Sequence, residues 1–163
     1  MSDSLSDGRG FRTLNLVVAY TRQYLAIETD TSLSGERVVR VLDAVVAKRG
    51  KPQVIRIDNG PEFRSKALDV WAYCNGVKLD FIEPGKPTQN GLIESFNGRF
   101  RDKCLSQEWS FSLQEARQLI EGWRVSYNSK RPHSSLGYLP PGCPMGGSGH
   151  RSNKILSFLM AYQ

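Results

Sequence analysis

Apolar and polar residues alternate from Phe11 and then run apolar to Val18, which predicts a strand over 11–18. "QYLAIET" (23–29) predicts its hairpin partner, with a short turn around Thr21 and Arg22. The period then changes. Apolar residues at 38, 39, 41, 42, 45 and 46 form a helical stripe, with Ser34 placed to cap its start and Gly50 and Pro52 to stop it. A strand is expected over 53–57, then a helix from Ser65 to Asn75 ended by Gly76, then a strand over 77–83. Residues 84–91, "PGKPTQNG", read as a loop, and 91–105 as a helix. Ser112 and Glu115 have the spacing of a capping box. They open a helix whose apolar positions 113, 116, 120, 123 and 127 repeat at three and four.

The order β-β-α-β-α-β-α-α implies an α/β domain with a mixed sheet, and no internal repeat interrupts it. After Pro141 the pattern stops. Residues 142–163 read as a flexible tail, rich in Gly and Ser around "GCPMGGSGHRSN". Within it "KILSFLMAY" (154–162) is apolar enough for a strand or a short helix.

Composition adds limits. The 163 residues suffice for one domain, and 39% apolar with 23% charged residues marks a globular chain. No run reaches the roughly 18 apolar residues of a membrane span, and the polar "MSDSLSDGRG" opening is unlike a signal peptide. Cys74, Cys104 and Cys143 are too scattered for a zinc site or a disulfide framework, which suits a cytoplasmic setting. Twenty-two Lys and Arg against 16 Asp and Glu leave a net charge of +6, which favours an anionic partner such as nucleic acid.

The chemistry concentrates in "RIDNGPEF" (56–63). An apolar strand runs straight into Asp58, and Asn59-Gly60-Pro61 turns the chain at once. Asp58 can be a turn residue or a metal ligand. Glu94 lies 35 intervening residues later, in the early turns of a helix, where a carboxylate also suits the helix dipole. Glu94, Asn97 or Gly98, and Arg101 share one face at helical spacing. An Asp at a strand tip and a Glu on a later helix could hold the same hard cation, Mg2+ or Mn2+.

"IDNGPEF" together with "KPTQNGLIESFNGRFRDKCL" resembles the catalytic core of insertion-sequence transposases of the retroviral-integrase type. "LAIETDTSLSGERVVRVLD" and "YNSKRPHSSLGYLPP" are similar to other parts of that core, so the resemblance covers roughly residues 3 to 141. It implies a ribonuclease H-like fold and a DNA recombinase that carries out DNA cleavage and strand transfer. Such enzymes use three carboxylates and two divalent ions about 3.5–4 Å apart. Asp58 matches the family's second Asp and Glu94 its Glu, as both catalytic and metal-binding residues. Asn59 and Gly60 match the turn that aims Asp58. Gln89 and Asn90 match a loop beside the site, with Lys86 near it. Arg99, Arg101 and Lys103 match a helix laid along DNA, where they meet phosphates, or else they form a solvated face. His133, in the Arg-Pro-His signature, is expected to make structural hydrogen bonds. Implied partners are transposon-end and target DNA, a second copy or the full-length transposase, and no membrane. The implied location is the bacterial cytoplasm, at the nucleoid.

Two departures from the family pattern follow. Its first Asp sits on an opening strand, in a segment like Trp-x-x-Asp-Phe just before an acidic "SD". Here "SD" is Ser2-Asp3, so that strand and its Asp are expected to be missing, as in a 5′-truncated reading frame. Asp3 and Asp7 are read as solvated turn residues. Val18-Ala19 stands where the family has acidic residues. Residues 1–141 are thus read as an incomplete core that is inactive as given, and 142–163 as a divergent tail. The alternative is a non-catalytic fragment that binds DNA or a transposase. A further alternative lets "KILSFLMAY" fill the vacated strand position.

Overall fold

The structure is a computed structural model that describes residues 3–5, 8–58, 60, 63–83, 85, 87–106, 112–130 and 157–162. The described residues form six strands and four α-helices: β1 (Asp3–Ser4), β2 (Gly10–Val18), β3 (Tyr24–Asp30), α1 (Gly35–Arg49), β4 (Val54–Ile57), α2 (Lys66–Asn75), β5 (Lys78–Phe81), α3 (Pro87–Phe100), α4 (Leu113–Lys130) and β6 (Ser157–Tyr162). A π-helical turn, Arg101–Leu105, continues α3.

The local signals act as their chemistry requires. The hydroxyls of Ser34 and Ser65 accept from the N–H groups of Arg37 and Leu68, three residues on, and so start α1 and α2. Gly76 ends α2 in the left-handed conformation at φ 65°, where its N–H closes on the carbonyls of Ala72 and Tyr73. The two helix starts approach so closely that a Cβ at Gly35 would overlap the Ser65 side chain. The Ser112 hydroxyl accepts from the N–H of Glu115, the hydroxyl half of the anticipated capping box.

One sheet holds the domain together, in the order β1-β2-β6-β4-β5, with β3 also paired to β2. β2 and β3 form an antiparallel hairpin, turned through Arg22 at φ 62°. β4 and β5 are parallel and are linked through α2. Between these two pairs lies β6. It runs antiparallel to β2 (Leu14 opposite Tyr162 through Val18 opposite Phe158) and parallel to β4 (Val54 opposite Ser157 through Ile57 opposite Met160).

Residues 142–156 of the expected flexible tail lie outside the described residues, and the correction concerns its end alone. Its residues Ser157–Tyr162 are a central strand. β2 and β4 would each otherwise present a row of unpaired backbone groups inside the sheet, and β6 satisfies both rows. Over these six residues "KILSFLMAY" is a strand, one of the two forms expected of it. Cys143 and His133 lie outside the described residues.

Three smaller corrections follow. α3 begins at Pro87 rather than at 91, because proline lacks only an N–H that a first-turn residue leaves unbonded, and its φ already suits a helix. The helix expected to run to 105 gives way to the π turn after Phe100. That turn keeps both Phe100 and Cys104 buried against Leu5 and Phe11. Asp3, expected in a turn, pairs in β1 opposite Phe11, and Asp7 lies outside the described residues.

One face of the sheet carries Leu14, Leu16, Ile55, Ile57 and Phe158 against Val38 and Leu42 of α1 and Leu68 and Trp71 of α2. The other carries Val17, packed with Ile93 and Phe96 of α3 and Tyr127 of α4. Phe158 has no exposed surface. Phe158→Ala is expected to cost about 3–5 kcal/mol by leaving a cavity at the centre of the sheet, read as a lowered urea midpoint at unchanged slope.

Asp30, at the end of β3, joins three elements by accepting from Arg37 of α1 (2.5 Å) and Arg117 of α4 (3.0 Å). Burial opposes its ionisation. The Thr31 N–H and the two guanidiniums outweigh burial and hold its pKa below the ordinary carboxylate value. Its stabilising contribution is therefore complete above the unfolded Asp value of about 3.9 and is lost as pH falls through the lower folded value. Asp30→Asn is expected to lower the thermal midpoint at pH 7, with the gap from the unaltered protein closing as pH falls below the ordinary carboxylate value and through the lowered folded one.

Candidate active site

Asp58 stands one residue past β4, at its carboxyl end, where open α/β sheets place their ligand sites. It is half-buried, and its Oδ1 accepts from the N–H of Gly60 at 2.7 Å. The turn role and the strand-tip position thus coexist: one carboxylate oxygen fixes the turn, and the turn fixes where the carboxylate sits. Asn59 lies outside the described residues.

Strand register gives Asp58 its neighbours. Ile57 is level with Met160, so one residue on Asp58 is level with Ala161, and Ala161 is opposite Asn15. Leu14, Leu16, Ile55, Ile57 and Phe158 occupy the α1 and α2 face. The alternating positions 15, 161 and 58 form one row on the opposite face, where α3 lies.

α3 is fixed over that face by polar as well as apolar contacts. Ile93, Phe96 and Phe100 are buried. The Asn15 Nδ2 donates to the Asn97 Oδ1 at 3.2 Å, and the Tyr24 hydroxyl donates to the Phe96 carbonyl at 2.9 Å. Tyr24 is itself held by Asn128 of α4, which accepts from its N–H at 3.0 Å and donates to its carbonyl at 2.8 Å. The Tyr24 ring meets Phe96, Trp123 and Tyr127 edge-on, with centroids 4.9–5.4 Å apart. Glu94 lies on α3, one turn before Asn97, and is exposed.

The structure therefore brings Asp58 and the helix of Glu94 to one face of the domain. Gln89 and Asn90 form part of the first turn of α3 rather than a loop before it. Their side chains, and the whole of Lys86, lie outside the described residues. Arg99 is exposed, and so is Lys103, while Arg101 is half-buried. The π turn begins at Arg101, the last residue of the face read from Glu94 and Asn97. Asn15, Tyr24 and Asn128 were not singled out from the sequence, and Asn97 only as a position on the face of Glu94. The available signal was a lone Asn inside the apolar run "LNLVV".

Protein-family models also match the chain. Two models, both described as integrase core domain, match residues 4–87 and 75–141. The chain belongs to the integrase core family. It is 51% identical over 139 residues to the IS407 insertion-element 31.7 kDa protein of Burkholderia multivorans, covering 85% of this chain and 50% of that one. It is 48% identical over 139 residues to the IS476 insertion-element 39.2 kDa protein of Xanthomonas euvesicatoria, covering 85% and 40%. The resemblance to insertion-sequence transposases of the integrase type therefore holds, and the chain spans about half the length of these relatives or less.

Among solved structures, the HTLV-2 integrase catalytic core domain with magnesium superposes with a TM-score of 0.64 at 17% identity, covering 85% of this chain and 88% of that one. A chain of the simian T-cell lymphotropic virus intasome with the PP2A subunit B56 gamma gives 0.72 at 15% identity, covering 95% and 56%. These likenesses establish the ribonuclease H-like fold of this integrase-core chain.

The metal chemistry that the fold implies meets a shortfall. Among the described residues, no three His, Cys, Asp or Glu side chains gather to hold a metal ion. Asp58 and Glu94 supply two carboxylates, and the position between Asp58 and Asn15 is an alanine, which has no oxygen. The described residues do not fit a two-ion site.

Tyr24→Phe removes the hydroxyl that holds α3 to the sheet. The expected cost is about 1 kcal/mol, with faster amide exchange across Ile93–Phe100 and little change in α1.

Proposed function

We propose that this chain is the DNA-handling core of an insertion-element transposase, and that as it stands it binds DNA without joining strands. The observation that carries this is the site itself: Asp58 at a strand tip, on the face covered by the helix of Glu94, in a chain of the integrase core family. Membership of that family points to DNA transposition and integration, and the substrates are transposon-end and target DNA. Divalent metal, Mg2+ or Mn2+, belongs to the reading because the HTLV-2 core was solved with magnesium. Self-association, or association with a full-length transposase, belongs to it because the related folds occur as a trimer and within an intasome. Residues 1–141 correspond to the core and the bacterial nucleoid is the place of action, with Asp58 and Glu94 as the reactive carboxylates. Lys86, Gln89, Asn90, Arg99, Arg101 and Lys103 are the DNA-facing set.

The net charge of +6 and the exposed Arg99 and Lys103 support phosphate contact without base reading. The lack of a third ligand among the described residues supports inactivity in strand transfer.

The test uses labelled pre-cut transposon-end DNA with Mn2+ or with EDTA, beside Glu94→Gln. No joining above the EDTA level is expected. Joining that requires both Mn2+ and Glu94 would overturn the inactive assignment. Binding to the same DNA, followed by fluorescence anisotropy, is expected to weaken steeply with salt. Arg99→Ala and Lys103→Ala should each lower the salt slope by about 1. A slope near zero for the unaltered chain would defeat the DNA reading.

A further inference from the structure

We propose that Arg56 of β4 is a phosphate-binding residue, held by Asp80 of β5 so that the free end of its guanidinium meets a DNA phosphodiester close to Asp58. The proposal rests on the DNA reading above and adds to it a residue on the sheet itself rather than on α3.

Strand alternation sets the place. Ile55 and Ile57 belong to the cluster under α1 and α2, and Leu79 and Phe81, level with them on β5, pack against that cluster. Arg56 and Asp80, the pair between, therefore lie on the opposite face of the sheet, which is also the face of Asp58. Two residues of strand, about 6.6 Å, separate Arg56 from Asp58. Two residues past Asp80, Ile82 is buried with Ile93 and Phe96 of α3. The Arg56–Asp80 pair stands just outside that cover, with its side chains 42% and 41% exposed.

A second observation is how the guanidinium is held. Arg56 Nε donates to Asp80 Oδ2 at 3.1 Å, and among the described residues neither Nη has a hydrogen-bond partner. Other arginines of the domain spend the whole fork on the fold. Arg37 gives Nε and Nη2 to Glu28 and Nη1 to Asp30. Arg124 gives Nε and Nη2 to Glu121 and Nη1 to the Tyr24 carbonyl. An exposed ion pair made by one contact adds little stability, whereas a planar fork with two free ends matches a phosphate. Asp80 restrains the side chain before DNA arrives, so less rotamer freedom is lost on binding.

The test compares Arg56→Ala with the unaltered full chain on labelled transposon-end duplex, by fluorescence anisotropy across a salt series. Lys51→Ala is the control, because Lys51 is an exposed cation at the other end of β4 from Asp58. Arg56→Ala is expected to bind about tenfold more weakly at low salt and to lower the salt slope by about 1. Arg56→Lys should recover the slope but not the full affinity, since an ammonium keeps the charge and lacks the fork. Lys51→Ala should change neither. A folded Arg56→Ala chain with unaltered affinity and slope, or an equal loss in Lys51→Ala, would overturn the proposal. Should Arg56→Ala fail to fold, Arg56→Lys decides alone, and full affinity there defeats the proposal. A steep slope for the unaltered chain that Arg56 does not influence defeats this proposal and leaves the DNA reading standing, whereas a slope near zero defeats both.

Discussion

The sheet depends on six residues that satisfy two strands at once. β2 and β4 come from different parts of the chain, and their inner edges do not pair with each other. β6 pairs with both, antiparallel on one side and parallel on the other. Backbone donors and acceptors in a covered sheet must be paired, because burying them alone costs about 1–3 kcal/mol each. The fully buried Phe158 adds an aromatic side chain at the point where the α1 and α2 layers converge. The β2–β3 hairpin and the β4–α2–β5 unit are thereby one body rather than two.

The second layer rests on Tyr24. One side chain, Asn128, holds both backbone groups of Tyr24, and the Tyr24 hydroxyl holds a carbonyl of α3. Arg124 of α4 also donates to the Tyr24 carbonyl at 3.0 Å. These bonds lie among aromatic rings that exclude water, where each polar contact gains strength and becomes costly to lose. The consequence for the site is positional. Glu94 is exposed, so its position follows from Ile93, Phe96 and Asn97 on the same helix.

At the carboxyl end of β4 the turn and the carboxylate depend on each other. Asp58 has one oxygen engaged by the Gly60 N–H, which orders the turn and keeps the carboxylate at the strand tip. Across the row, register puts an alanine and then an asparagine.

Local chemistry was legible from the residues themselves. The caps at Ser34 and Ser65, the stop at Gly76, the hairpin of β2 and β3, and the Asp58 turn each depend on contacts a few residues apart. The motifs around Asp58 and Glu94 likewise carried the family, because both are short and contiguous. Tertiary structure alone decided the rest. "SFLMAY" is apolar enough for a strand, yet its composition does not name its partners; the gap between β2 and β4 does, since backbone pairing is indifferent to sequence distance. Asn15 read as an ordinary strand residue until register set it beside position 161 and under Asn97.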